Sequence, residues 1–256
     1  MRRICWVFFW VFACCFFQWK LLAQPLRLAV SANAQFVIGQ LQSDFQERTG
    51  IATEAIISSS GKLAAQILNG APYDLFLSAD MYFPEKVAQA GFGLTAVKVY
   101  AYGRLIVASQ TIQPIAKWEE LLKSGRINKL AIADPKLAPY GKAAEEVLKH
   151  YGLLEKVTPK LVYGESISQV NIYLTNGAVD LAFTTEALVH EGGNKHRLYW
   201  ARVDESLYSK IEQGVLICQY AKGNRLEQAK AFLDYLSSAS AKRIFQDYGY
   251  QVPIVR

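Results

Sequence analysis

Short apolar runs alternate with amphipathic helical stretches along nearly the whole chain, and this alternation restricts the fold more than any other feature. Strand, helix and strand in succession lead to an α/β architecture with largely parallel sheets, because parallel neighbours need a crossover segment between them. Residues 26–30, 53–57, 74–77, 105–108, 130–133, 161–163, 181–183 and 215–217 read as strands. Helical spacing falls on 35–48, 62–68, 84–90, 118–123, 140–150, 168–175, 226–236 and 241–248. In the first helix Phe36, Leu41 and Phe45 share or border one face, and Gly50 supplies the stop. With 52% apolar and 20% charged residues, the chain can bury the core of one large domain or two small ones.

The N-terminus is set apart. Arg2 and Arg3 precede an unbroken apolar run over 4–17, and Gln18 and Lys20 end it. A membrane-spanning helix needs roughly 20 apolar residues. The pattern therefore predicts a signal peptide over 1–23, cleavage after Ala23 and a periplasmic destination. Leu21 is large for the position three before the cut, and Val11-Phe12-Ala13-Cys14 makes a poor lipoprotein box because Phe12 is bulky. Half of the net formal charge of +6 comes from Arg2, Arg3 and Lys20. What remains is too mild, and too dispersed, to indicate nucleic acid.

Four strand-to-helix turns carry small or hydroxyl residues: Ser31-Ala32-Asn33, Ser58-Ser59-Ser60-Gly61, Ala138-Pro139-Tyr140-Gly141 and Glu165-Ser166-Ile167-Ser168. In open α/β sheets ligands gather outside the carboxyl ends of the strands. A helix start offers unpaired N–H groups and roughly half a positive charge, so several starts aimed at one point make an anion site without any cation. Ser, Thr and Asn are also ordinary N-caps. Residue chemistry alone leaves both readings open, and stops at a two-lobed α/β protein.

Enzyme chemistry finds little to work with. The chain has three histidines, none in a zinc-protease spacing, and His150 at a helix end reads as a partner of the helix dipole. Ser60-Gly61-Lys62 resembles the end of a phosphate loop, but Ile56 and Leu63 stand where glycine and Ser or Thr are required. Three of the four cysteines lie before residue 24, so Cys218 forms no intrachain disulfide in the exported chain and reads as a small buried hydrophobe. No catalytic residue and no cofactor are expected.

Several stretches resemble the periplasmic molybdate-binding proteins of ABC transporters. They are Ser59-Ser60-Gly61-Lys62-Leu63-Ala64-Ala65-Gln66-Ile67, Asn69-Gly70-Ala71-Pro72-Tyr73-Asp74-Leu75-Phe76-Leu77-Ser78-Ala79-Asp80 and Tyr102-Gly103-Arg104-Leu105. Asp134-Pro135-Lys136-Leu137-Ala138-Pro139-Tyr140-Gly141 and Phe245-Gln246-Asp247-Tyr248-Gly249-Tyr250 complete the set, and the likeness spans nearly all of 26–252. The resemblance implies a type II periplasmic binding-protein fold, each lobe a mixed, mostly parallel sheet flanked by helices, with ligand in the cleft between lobes. It places lobe one at 25–102 plus 210–256 and lobe two at 103–209. It implies a receptor that captures molybdate or tungstate, as a monomer, and delivers it to an ABC permease.

Carried over residue by residue, the family's ligand positions fall on Asn33 and Ser60 as side-chain donors, on Tyr140 and the N–H of Ile167, and on the N–H of Ala32. Ser31 and Ser59 are weaker candidates. Some family members use a tyrosine hydroxyl where this chain has Thr184, followed by Thr185; Thr184 is too short to reach as a tyrosine would, and Tyr140 is the candidate replacement. Molybdate is a fully deprotonated dianion at neutral pH and asks for donors only. Neutral donors in a closed cleft suit it, and a carboxylate facing it would repel it. Lys62 and Lys142 are expected to point along their helices into solvent, and Asp134 and Glu165 read as loop acids. Sulfate, phosphate or another oxyanion on the same fold is the alternative cargo; an exported α/β enzyme with an anionic substrate is the alternative outside transport.

Overall fold

The computed structural model describes residues 24–253. The predicted signal peptide lies outside the described residues. Ten strands form two five-stranded sheets. The first contains β1 (Leu26–Ser31), β2 (Thr53–Ser58), β3 (Leu75–Leu77), β4 (Lys98–Gly103) and β10 (Ile211–Ile217), in the order β2-β1-β3-β10-β4. The second contains β5 (Leu105–Ser109), β6 (Leu130–Ala133), β7 (Leu161–Gly164), β8 (Leu181–Thr185) and β9 (Tyr199–Arg202), in the order β7-β6-β8-β5-β9. The chain leaves the first sheet at Gly103, enters the second at Leu105, and returns between Arg202 and Ile211. The two-lobed α/β architecture is therefore present, with mixed sheets. In each, the pairs at one end are parallel and those at the other antiparallel, because β10 and β5 run against their neighbours.

The helices are α1 (Ile38–Thr49), α2 (Ser60–Leu68), α3 (Tyr82–Gln89), α4 (Trp118–Ser124), α5 (Pro139–His150), α6 (Leu154–Val157), α7 (Ile167–Thr175), α8 (Ala187–His190), α9 (Asn224–Tyr235) and α10 (Ala239–Asp247). Successive side chains of β1 face opposite sides of the sheet. Leu26, Leu28 and Val30 pack with Leu41 and Phe45 of α1, Phe232 of α9 and Phe245 of α10. Ala29 faces the other way, with Leu63 and Ile67 of α2 and Val87 of α3. The second sheet shares one core in which the Trp118 ring stands edge-on to Phe183 at 5.3 Å.

β4 and β9 lie outside the predicted strands. Both are edge strands, paired on one side only, and both are aromatic-rich segments flanked by a basic residue: Lys98-Val99-Tyr100-Ala101-Tyr102-Gly103 and Tyr199-Trp200-Ala201-Arg202. The predicted first helix also starts later than its apolar spacing suggests. Ala32–Ala34 forms a short 3-10 turn before α1 begins.

Candidate functional site

β1, β2, β6 and β7 each end in one of the four turns. β1 is parallel to β2 and β6 to β7, so each pair of turns lies on one edge of its sheet. The two edges meet. Gly61 N–H of α2 donates to Leu137 O, in the loop before α5, at 3.0 Å. Ser168 Oγ of α7 donates to Gln35 Oε1, just after the 3-10 turn, at 2.5 Å. Lys62 pairs with Glu165 across the same boundary. All four turns are thus drawn together in a closed arrangement.

Ser60 is the first residue of α2 and fully buried. Its hydroxyl donates to Ser31 Oγ at 2.9 Å and accepts from Ala79 N–H at 3.0 Å. Ser59 stands at the N-cap, makes no capping bond, and leaves its buried hydroxyl without a partner. Ala32 and Asn33 open the 3-10 turn, both buried. One N–H of the Asn33 amide donates to Tyr250 Oη at 3.3 Å, while Oδ1 is buried and unpartnered. Ile167 is the first residue of α7, and the Ser166 cap accepts from Gln169 N–H at 3.4 Å.

Tyr140 is the second residue of α5, and its ring is buried. Its hydroxyl accepts from Thr185 Oγ1 at 3.3 Å and from Gln213 Nε2 at 3.4 Å. Gly103 allows this approach: a Cβ there would stand 2.1 Å from the Tyr140 hydroxyl. In both bonds the hydroxyl is the acceptor, so its own hydrogen and the backbone N–H are the donors that Tyr140 can still offer beside the crossing between sheets. Thr184 turns elsewhere, donating to Asn171 Oδ1 of α7 at 2.5 Å. Adjacent strand residues face opposite sides, so Thr185, not Thr184, joins the Tyr140 group.

The charges near the turns are taken up locally. Lys62 does not run into solvent; it pairs with Glu165. Lys142 is largely exposed and lies 3.9 Å from Glu146. Asp134 accepts from Lys136 N–H at 2.9 Å within its own loop. Burial pushes the Tyr140 and Tyr250 phenols well above their ordinary range, so both keep their protons at neutral pH.

Residues 26–251 match the model of the family described as bacterial extracellular solute-binding protein. The chain belongs to that family. Among its relatives is the molybdate-binding protein ModA of Azotobacter vinelandii, 33% identical over 89% of this chain and 90% of the relative. ModA of Rhodobacter capsulatus is 35% identical over 87% of this chain and 86% of the relative. In three dimensions this solute-binding protein superposes on the Azotobacter vinelandii periplasmic molybdate-binding protein with a TM-score of 0.85. That superposition has 31% identity and covers 90% of this chain and all of the other.

Tyr250, Thr185, Gln213 and Gln35 are polar residues near the turns that the sequence reading does not place there. Two of them carried a signal: Tyr250 as the last residue of the C-terminal stretch that resembles the family, and Thr185 as the neighbour of Thr184.

Proposed function

We propose that this solute-binding protein captures molybdate, or tungstate of like size and charge, in the cleft between its lobes. The lobes in this reading are 25–102 plus 210–256 and 103–209. The observation that carries the reading is a set of buried polar atoms without protein partners. Asn33 Oδ1, Ser59 Oγ and Asn171 Nδ2 all lie on the segments whose starts are drawn together between the sheets. Buried polar groups nearly always have partners, and orphans on segments that converge between the sheets, Asn33 Oδ1 and Ser59 Oγ nearest the turns, support a polar ligand there. In this reading the Ser60 hydroxyl turns its one hydrogen from Ser31 to the cargo, and Asn33 Nδ2 with the N–H groups of Ala32, Tyr140 and Ile167 are the other donors. No lysine or arginine touches the cargo in this reading. The names of the relatives support molybdate.

Phosphate is the reading that Asn33 Oδ1 favours, since a protonated oxyanion needs an acceptor. With one Nδ2 hydrogen held by Tyr250, the molybdate reading uses the second Nδ2 hydrogen as the donor, which suits a fully deprotonated dianion. The chain performs no reaction on its cargo in this proposal and needs no cofactor. The Cys218 thiol is pushed up by burial and is inert, and His190 is engaged with Glu186 at 3.1 Å. Export to the periplasm, a monomeric state and delivery to an ABC permease complete the reading.

A melting panel with molybdate, tungstate, sulfate and phosphate tests it. Micromolar molybdate and tungstate should raise the melting temperature, since ligand at a hundred times Kd adds about 2.7 kcal/mol. Native mass spectrometry after molybdate exposure should show one bound anion. Equal shifts with sulfate would replace molybdate by a general oxyanion, and no shift with any anion would sink the proposal.

A further inference from the structure

Asn33 and Tyr250 are 217 positions apart and meet in the buried interior. The Tyr250 hydroxyl donates to the Asn33 carbonyl at 2.8 Å and accepts from Asn33 Nδ2 at 3.3 Å. One phenol thus grips both the backbone and the side chain of the residue that opens the first turn. The tyrosine is itself well placed. Tyr102 N–H donates to Gln251 O at 2.8 Å and Gln251 N–H to Tyr102 O at 3.0 Å, which ties the C-terminal segment to β4 beside the crossing. The Tyr250 ring packs edge-on to Phe245 at 5.6 Å. Burial keeps the phenol protonated, so its donor bond to the carbonyl is not switched by pH.

We propose that Tyr250 is a positioning residue for anion capture: its hydroxyl fixes the Asn33 turn and amide, leaving the second amide hydrogen for the cargo. This rests on the reading of Asn33 as a ligand donor. Tyr250 touches no cargo; it acts through Asn33. An amide spends part of its time in other rotamers unless its partners select one, and a donor preset in the bound geometry loses less freedom on binding.

The test is Tyr250→Phe, which keeps the ring and deletes both bonds. Calorimetric titration with molybdate should show affinity lowered about tenfold, the scale of one charge-assisted hydrogen bond. In an Asn33→Ala background the same substitution should cost clearly less than in the wild type, because the amide is gone and only the bond to the residue-33 carbonyl remains to be lost. Equal losses in both backgrounds, or no loss in either, would overturn the proposal. A second measurement needs no ligand. The Asn33 side-chain amide resonances, identified by their disappearance in Asn33→Ala, should shift and broaden in Tyr250→Phe; resonances that stay put would overturn the proposal. If the wild-type protein takes up no oxyanion, the cargo reading falls on that titration, while the resonances still decide whether Tyr250 orders Asn33.

Discussion

Gly61 N–H donates to Leu137 O at 3.0 Å, a backbone bond that joins the start of α2 in one lobe to the loop before α5 in the other. The approach depends on a missing side chain. A Cβ at Gly61 would lie 3.1 Å from Leu137 Cα, 3.2 Å from Leu137 O and 3.0 Å from Phe83 Cζ. The Phe83 ring can turn aside, but the Leu137 backbone can yield only by moving away from α2.

Gly61→Ala should therefore separate binding from stability. Alanine suits a helix better than glycine by up to about 1 kcal/mol, so the ligand-free protein should melt no lower than wild type. Anion affinity should fall roughly tenfold as closure is hindered. Unchanged affinity by calorimetric titration would mean that closure does not require this contact.

Ser60→Ala should cost both. The ligand loses a hydroxyl donor, about 1.5–3 kcal/mol or roughly ten- to hundredfold in Kd. Ala79 N–H loses its buried acceptor, which should lower stability by about 1–3 kcal/mol. Ser31→Ala removes only the acceptor of the Ser60 hydroxyl and should weaken binding less than Ser60→Ala. Paired titrations and melts of the two variants check this order.

The Lys62–Glu165 pair is half-exposed on both sides, and exposed pairs contribute about 0.2–1 kcal/mol. Lys62→Ala should weaken molybdate binding by no more than about fivefold, with a faster release rate in stopped flow and an effect that shrinks as salt is raised. A hundredfold loss would instead mean that Lys62 touches the anion.

Tyr100, Tyr140 and Tyr250 are all fully or nearly fully buried, and burial raises each phenol above the usual value of 10.0. The unfolded chain releases these protons near pH 10 while the folded chain holds them, so stability is complete below that pH and falls as pH rises past it. Melting temperature should drop steeply above pH 10, and Tyr140→Phe should flatten the drop. Molybdate affinity should stay level between pH 6 and 9, because none of the proposed donors titrates there. A binding step within that range would point to a titrating group in the site.

The sequence by itself determined the alternating elements, their assembly into a two-lobed α/β fold, and the four turns with small or hydroxyl residues at helix starts. Those features are written in windows of a few residues, where apolar spacing and capping chemistry act locally. Strands β4 and β9 escaped because short aromatic-rich segments flanked by Lys98 and Arg202 lack the branched aliphatic run that marked β1, β5 and β10. The tertiary structure alone decided where the side chains went. Strand alternation sent Thr184 to Asn171 and Thr185 to Tyr140. Contact between lobes drew Lys62 to Glu165 instead of into solvent, and the returning C-terminal segment brought Tyr250 against Asn33. Each of these pairings depends on the distance between elements remote in the chain, and that distance is set by how the two cores pack, which no local pattern records.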